Sequence, residues 1–312
     1  MSFLFLLSGE NPELAIFEIS SLVKARPIAK SQKLLVLNAR SISQAHRLAF
    51  TKRIIKLLFI CPASKLEAKL AAFNWQRVYK RSFSLKLTAL SATTYSERPL
   101  AAIIHATLKN PKVDLAKAAT RIEIVIEGST AYCGLACWEN KEDFNSRKPQ
   151  FRPGFMPTSM HPKLARAIVN LTGSRTKVLD PFCGTGGLLI EAGLMGLRVE
   201  GSDTDKRALE LCKANLKHFG IKHKLRLRDA CKLPKASYIA TDMPYGRSSP
   251  VSSDNGIQNL YARFLKALKE SGCKRAVVVS PANSHLERLA KGRTFDVYVH
   301  ASLTRRILVI DK

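Results

Sequence analysis

Acidic side chains are scarce in this chain: 24 Asp and Glu stand against 51 Lys and Arg over 312 residues, a formal net charge of +27. The imbalance is not confined to a tail. Residues 1–150 hold 23 basic and 11 acidic side chains, and residues 151–312 hold 28 and 13. Each phosphate neutralised by Lys or Arg releases counterions, so a nucleic-acid partner is expected rather than a merely solvated basic surface. Also missing is any cysteine pair at C-x-x-C spacing, and Cys133 with Cys137 has no second pair nearby. The seven cysteines are an odd, scattered set, read as reduced thiols in a cytoplasmic protein with no metal site. No apolar run approaches the roughly 20 residues that span a bilayer. The stretch "MSFLFLLSGENP" lacks a basic start and is expected to be a first β-strand, not a signal peptide. No membrane contact is expected, and the chain reads as a monomer.

What is present is ordinary in bulk, at 46% hydrophobic and 24% charged residues. The length predicts two or three domains. Residues 1–52 alternate short strands and helices, with Asn11 and Pro12 as a helix start, and are expected to form a ferredoxin-like α+β unit. Residues 53–140 form a second α+β unit that closes on the hairpin "RIEIVIEG" and "TAYCGLACW". Residues 141–160 are charged, proline-bearing and without period, hence a linker or else an ordered loop packed on a domain. Arg147, Lys148 and Arg152, interleaved with Phe144 and Phe151, are placed there to touch a nucleic-acid backbone. From residue 161 to 312 the pattern becomes strand then helix, repeated. It predicts an α/β fold with a mostly parallel, doubly wound sheet and an antiparallel pair at the end.

"LDPFCGTGG" sits where such a sheet binds its ligand: first strand end, glycine loop, helix start. Leu189 stands where a dinucleotide fingerprint needs glycine, and no Gly-Lys-Ser/Thr follows, so neither that motif nor a P-loop fits. The D-x-F-x-G-x-G form of Asp180, Phe182, Gly184 and Gly186, with Thr185 between the glycines, matches an S-adenosylmethionine loop. Asp203, ending the second strand, can accept both ribose hydroxyls, and Asp229, ending the third, is placed for an adenine amine.

"TDMPYGRSS" closes the fourth strand. An exocyclic base amine is a poor nucleophile because its lone pair is delocalised into the ring. The Asp242 carboxylate and the Met243 carbonyl can hold both amine hydrogens, and Asp242 can take the proton. Pro244 stiffens the turn, and Tyr245 offers a stacking face.

"DMPY" resembles the [D/N]-P-P-[Y/F] motif of amino-methyltransferases, with Met243 in place of the second-position proline. Together with "RPGFMPTSMHPKLARAIVNL", "LDPFCGTGGLLIEAGLMG" and "HASLTR", it resembles the archaeal tRNA guanine-10 N2-methyltransferases of the THUMP class. That resemblance implies a class I methyltransferase domain behind a ferredoxin-like domain and a THUMP RNA-binding domain. It also implies S-adenosyl-L-methionine as cofactor and tRNA as partner, held by the THUMP module at its 3′ end. His300, Ser302, Thr304 and Arg305 would border the target pocket, with Arg305 on a phosphate. Other readings stay open at this point: another tRNA or rRNA guanine, adenine N6 in DNA, or a non-catalytic tRNA-binding protein on a methyltransferase scaffold.

Overall fold

The computed structural model describes residues 1–156, 159–245 and 254–312. Residues 246–249 of "TDMPYGRSS" and residues 157 and 158 of "RPGFMPTSMHP" therefore lie outside the described residues. In chain order come β1 (Ser2–Leu7), α1 (Pro12–Leu22), β2 (Ala25–Lys30), β3 (Leu34–Ala39), β4 (Thr51–Pro62) and α2 (Leu66–Ala72). Then follow β5 (Phe83–Ala89), α3 (Glu97–Ala106), β6 (Thr120–Glu127) and β7 (Thr130–Glu139). Two compact units emerge. Met1–Pro12, Lys24–Ile42 and Thr51–Asn140 form the first; Glu13–Val23, Ser43–Phe50 and Lys141–Lys312 form the second.

The first unit is built on a seven-stranded sheet in the order β2-β3-β1-β4-β7-β6-β5, with only β5 and β6 parallel. Strand β4 runs across the boundary drawn at residue 52, pairing with β1 on one edge and β7 on the other. Trp75, Phe83, Leu100 and Ile104 pack under one face with Ile122 and Ile124. Strand β2 is not expected from its sequence, because Pro27 has no N–H to give a ladder. It is tolerated because β2 is an edge strand with an irregular register at that residue. The helix expected in "SISQAHRLAF" is a single 3-10 turn, Ala45–Arg47. The segment belongs to the second unit and is fixed within it: Glu18 accepts the N–H groups of Ala49 (2.8 Å) and Phe50 (3.1 Å), and Arg47 Nη1 donates to the Ser174 carbonyl at 2.7 Å.

The second unit continues with α4 (Pro162–Leu171), β8 (Lys177–Asp180), α5 (Gly187–Leu194), β9 (Arg198–Asp203), α6 (Lys206–His218) and β10 (His223–Leu227). It ends with β11 (Tyr238–Asp242), α7 (Asp254–Glu270), β12 (Arg275–Pro281), β13 (Arg293–His300) and β14 (Leu303–Asp311). The sheet order is β10-β9-β8-β11-β12-β14-β13, with β14 antiparallel to both its neighbours, as a class I methyltransferase domain requires. Val178, Leu179, Ile239 and Ala240 are buried, as central parallel strands demand. Tyr261, Phe264 and Leu268 of α7 cover one face. The order reverses between β8 and β11, so the carboxyl ends of these two strands open side by side at the switch point. Among the described residues, no helix is long and apolar enough to cross a membrane, and no cluster of three or more His, Cys, Asp or Glu is set to hold a metal.

Candidate active site

The pairing of β8 with β11 places Leu179 opposite Ile239, so Asp180 and Asp242 emerge from adjacent strand ends. Asp180 is buried, and its Oδ1 accepts from Thr241 Oγ1 (2.7 Å) and from the Phe182 N–H (3.2 Å). Burial pushes its carboxyl up to about 8, helped by the nearby charges of Asp203 and Asp242. At neutral pH it therefore keeps its proton for the most part. Its place is behind the glycine turn, tying that turn to β11.

Gly184 and Gly186 both adopt the left-handed region, with φ of 48° and 86°. The Gly186 N–H closes the turn on the Cys183 carbonyl (2.7 Å), and a Cβ there would stand 2.7 Å from Cys212 Sγ. A Cβ on Gly184 would meet nothing within 4 Å, so this side of the turn faces open space. The Gly184 N–H donates to Asp203 Oδ2 at 2.8 Å, which brings the second strand-end acid to the glycine turn. Phe182 leans the other way, packing edge-on against Phe264 at 5.2 Å. Asp229 lies two residues beyond the end of β10. It accepts the Cys231 N–H (2.8 Å), which with Arg263 at 3.3 Å holds its carboxyl below the usual range.

Across from the turn, three side chains form one chain of hydrogen bonds. Arg305 Nε donates to the Tyr245 hydroxyl (2.8 Å), and that hydroxyl donates to Asp242 Oδ1 (2.6 Å). Arg305 Nη2 is 3.9 Å from Asp242 Oδ2, and its guanidinium lies 5.8 Å from the Tyr245 ring centre. Arg305 is buried, so it serves Asp242 and Tyr245 rather than standing on the surface for a phosphate. Burial raises the Asp242 carboxyl to about 6, against the opposing pull of Arg305 and the Tyr245 hydroxyl. Met243, where the motif has proline, is 1% exposed and packs into the core with Tyr261 and Leu286. Its N–H is bonded to the Val279 carbonyl (2.9 Å), and Tyr261 donates to the Pro244 carbonyl (2.8 Å). The turn is thus held by its anchors without the second proline ring.

Arg147 and Arg152, expected on an RNA backbone, are turned inward, and the stretch expected as a linker is packed against the glycine turn. Arg147 Nε bonds the buried Glu191 at 2.9 Å, and Arg166 Nε bonds the same carboxylate at 2.9 Å. Arg152 is 5% exposed and donates from Nε to the Arg147 carbonyl. Its two terminal nitrogens are buried with no hydrogen-bond partner among the described residues, and Nη1 sits 3.5 Å from where a Gly187 Cβ would be. Lys148 is half-buried. Asn215 staples this segment in place. It bonds both backbone groups of Gly154 (2.8 and 2.9 Å) and the Thr185 carbonyl (2.9 Å), while the Thr185 hydroxyl meets Ser159 Oγ at 3.2 Å. Neither Glu191 nor Asn215 stands out in the sequence as a site residue. The available signal is a lone acid inside the otherwise apolar "GLLIEAGL".

Residues 149–305 match the UPF0020 family, described as "RMKL-like, methyltransferase domain". Over its whole length the chain is 34% identical to the whole of a protein of Methanothermobacter thermautotrophicus named tRNA (guanine(10)-N2)-dimethyltransferase. It is 30% identical, over 97% of each chain, to a Pyrococcus abyssi protein of the same name. The crystal structure of TrmN from Thermus thermophilus shares the fold, at 19% identity, full coverage of both chains and a TM-score of 0.53.

Proposed function

The chain belongs to the tRNA (guanine(10)-N2)-dimethyltransferase family, and from that premise we propose that it methylates N2 of guanine 10 in tRNA, with Asp242 as the proton acceptor. The observation that carries the reading is the Arg305–Tyr245–Asp242 chain standing at the strand end next to the glycine turn. We assign the THUMP module, residues 53–140 within the first unit, to holding the tRNA in the cytoplasm.

The residues present fit S-adenosylmethionine. The open left-handed turn at Gly184 offers close backbone approach, Asp203 is fixed beside it for ribose hydroxyls, and Asp229 stands farther along for the adenine. Arg152 adds two buried nitrogens, one of them (Nη1) beside Gly187, that an anionic group would complete. When bound, that cofactor supplies an electrophilic methyl group on a sulfonium. Everything else falls to the chain's own groups. Tyr245 occupies Asp242 Oδ1, which leaves Oδ2 to accept one amine hydrogen while the Met243 carbonyl accepts the other. Held so, the amine lone pair would point to the place of the transferable methyl, whose carbon–sulfur bond breaks to a thioether as the nitrogen–carbon bond forms, and the amine proton would pass to Oδ2. Arg305 steadies the carboxylate until that transfer.

Incubating the protein with tRNA transcript and cofactor, then analysing nucleosides by mass spectrometry, tests the assignment. N2-methylated guanosine is expected, and it vanishes from a transcript with adenine at position 10. N6-methyladenosine, or undiminished product from that altered transcript, overturns it.

The acid limb gives a second check. Asp242 works as the carboxylate, so kcat/KM falls as the pH drops below about 6. Arg305 holds that value down, so Arg305→Met is expected to move the limb to higher pH. A limb that stays in place assigns it to another group.

A further inference from the structure

We propose that the face of the second sheet at β9 and β10, beside the strand ends that carry Asp203 and Asp229, is a contact for the phosphodiester backbone of the RNA substrate. Doubly wound sheets carry helices over both faces, because parallel strands are apolar on both sides. Here the crossover from β10 to β11, residues 228–237, contains no helix. The face it leaves open is cationic. Residues alternate sides along a strand, and register places Lys177 beside Arg198, Lys224 beside Glu200, and Arg226 beside Ser202. Lys177, Arg198, Lys224, Arg226 and Arg228 therefore share one face with a single acid, Glu200, which Lys177 engages at 3.4 Å.

Arg198, Lys224 and Arg226 are exposed and make no ion pair among the described residues. Lys224, Arg226 and Arg228 rim a concavity of about 250 Å³ floored by Leu179, Ser202 and Pro234. Along β10 these cations repeat every about 6.7 Å, two residues of strand rise. A row of uncompensated charges lining a hollow suits a chain of phosphates better than an apolar protein surface. The occupant is RNA because charge complementarity calls for a polyanion and, resting on the function proposed above, the substrate is one.

The test is the salt dependence of tRNA binding by full-length protein. With Arg198→Gln, Lys224→Gln and Arg226→Gln combined, the slope of log Kd against log salt becomes shallower by about 2, at roughly 0.7 for each phosphate left unneutralised. The melting temperature and the Kd for S-adenosylhomocysteine stay at the wild-type values. A charge-keeping Arg198→Lys, Arg226→Lys variant keeps the wild-type slope. An unchanged slope in the triple variant overturns the proposal, as does an equally shallow slope with the charge-keeping variant; capture of an acidic protein at this face with no change in tRNA slope would assign it to that partner instead. Wild-type tRNA methylation is measured first: its absence defeats the functional assignment, whereas its presence with an unchanged slope defeats only this surface.

Discussion

Asp242→Asn is expected to lower methyl transfer by roughly 10²–10⁴-fold, the usual worth of positioned proton transfer, while tRNA and S-adenosylhomocysteine bind as before. Asparagine keeps the size of the side chain and an oxygen to accept the Tyr245 hydroxyl, so the turn has no reason to collapse. What it lacks is a second acceptor and any capacity to take a proton. Its amide N–H₂ would face the substrate amine donor to donor, at the position that Asp242 Oδ2 occupies 3.9 Å from Arg305. Single-turnover rates with saturating tRNA isolate this step from binding. A rate within about threefold of the wild type would remove Asp242 from the chemistry and leave the Tyr245–Arg305 chain as scaffolding.

The strand-end acids are legible in the sequence because each ends a β-strand in a regular strand–helix alternation, and a doubly wound sheet collects those ends on one edge. Asp180, Asp203 and Asp242 follow from that alone. Their division of labour does not. That Asp180 lies buried against Thr241 depends on a register between strands far apart in the chain. The same holds for Arg305, whose partner Tyr245 is 60 residues away. Phe182 follows the cofactor-loop pattern yet turns to Phe264, a choice made by packing that no local motif encodes.

Charge is the poorest guide to direction. Arg147 and Arg152, in a proline-bearing polar stretch, have the composition of a solvated loop, and the depth of Glu191, together with Glu142 and the Phe144 ring, draws Arg147 inward. A lone glutamate in an apolar helix is a costly residue to bury unless cations reach it, so the helix carries a hint of what the loop does. On β10 the error would run the other way. "HKLRLRD" alternates like a half-buried strand, but no helix lies in the crossover that follows it and its cations stay in solvent.

Glu191→Ala is expected to cost roughly 3–5 kcal/mol, because breaking a buried ion network leaves uncompensated charge inside. Glu191 is fully buried and holds Arg147 and Arg166 at 2.9 Å each. Both guanidinium groups also flank the Phe144 ring, each 5.2 Å from its centre, so they cannot easily swing to water. Glu142 touches the same two arginines at 3.0 Å, yet its side chain is 37% exposed. Glu142→Ala should therefore cost only about 0.2–1 kcal/mol, as exposed pairs do. The two variants differ in burial and hardly at all in partners, and the comparison of urea midpoints at unchanged m-value isolates that difference. Equal costs would mean that the arginines are held by their other contacts. A large loss confined to Glu191→Ala would also loosen the wall that Arg147 and Arg152 build behind the glycine turn, and S-adenosylhomocysteine affinity should fall with it.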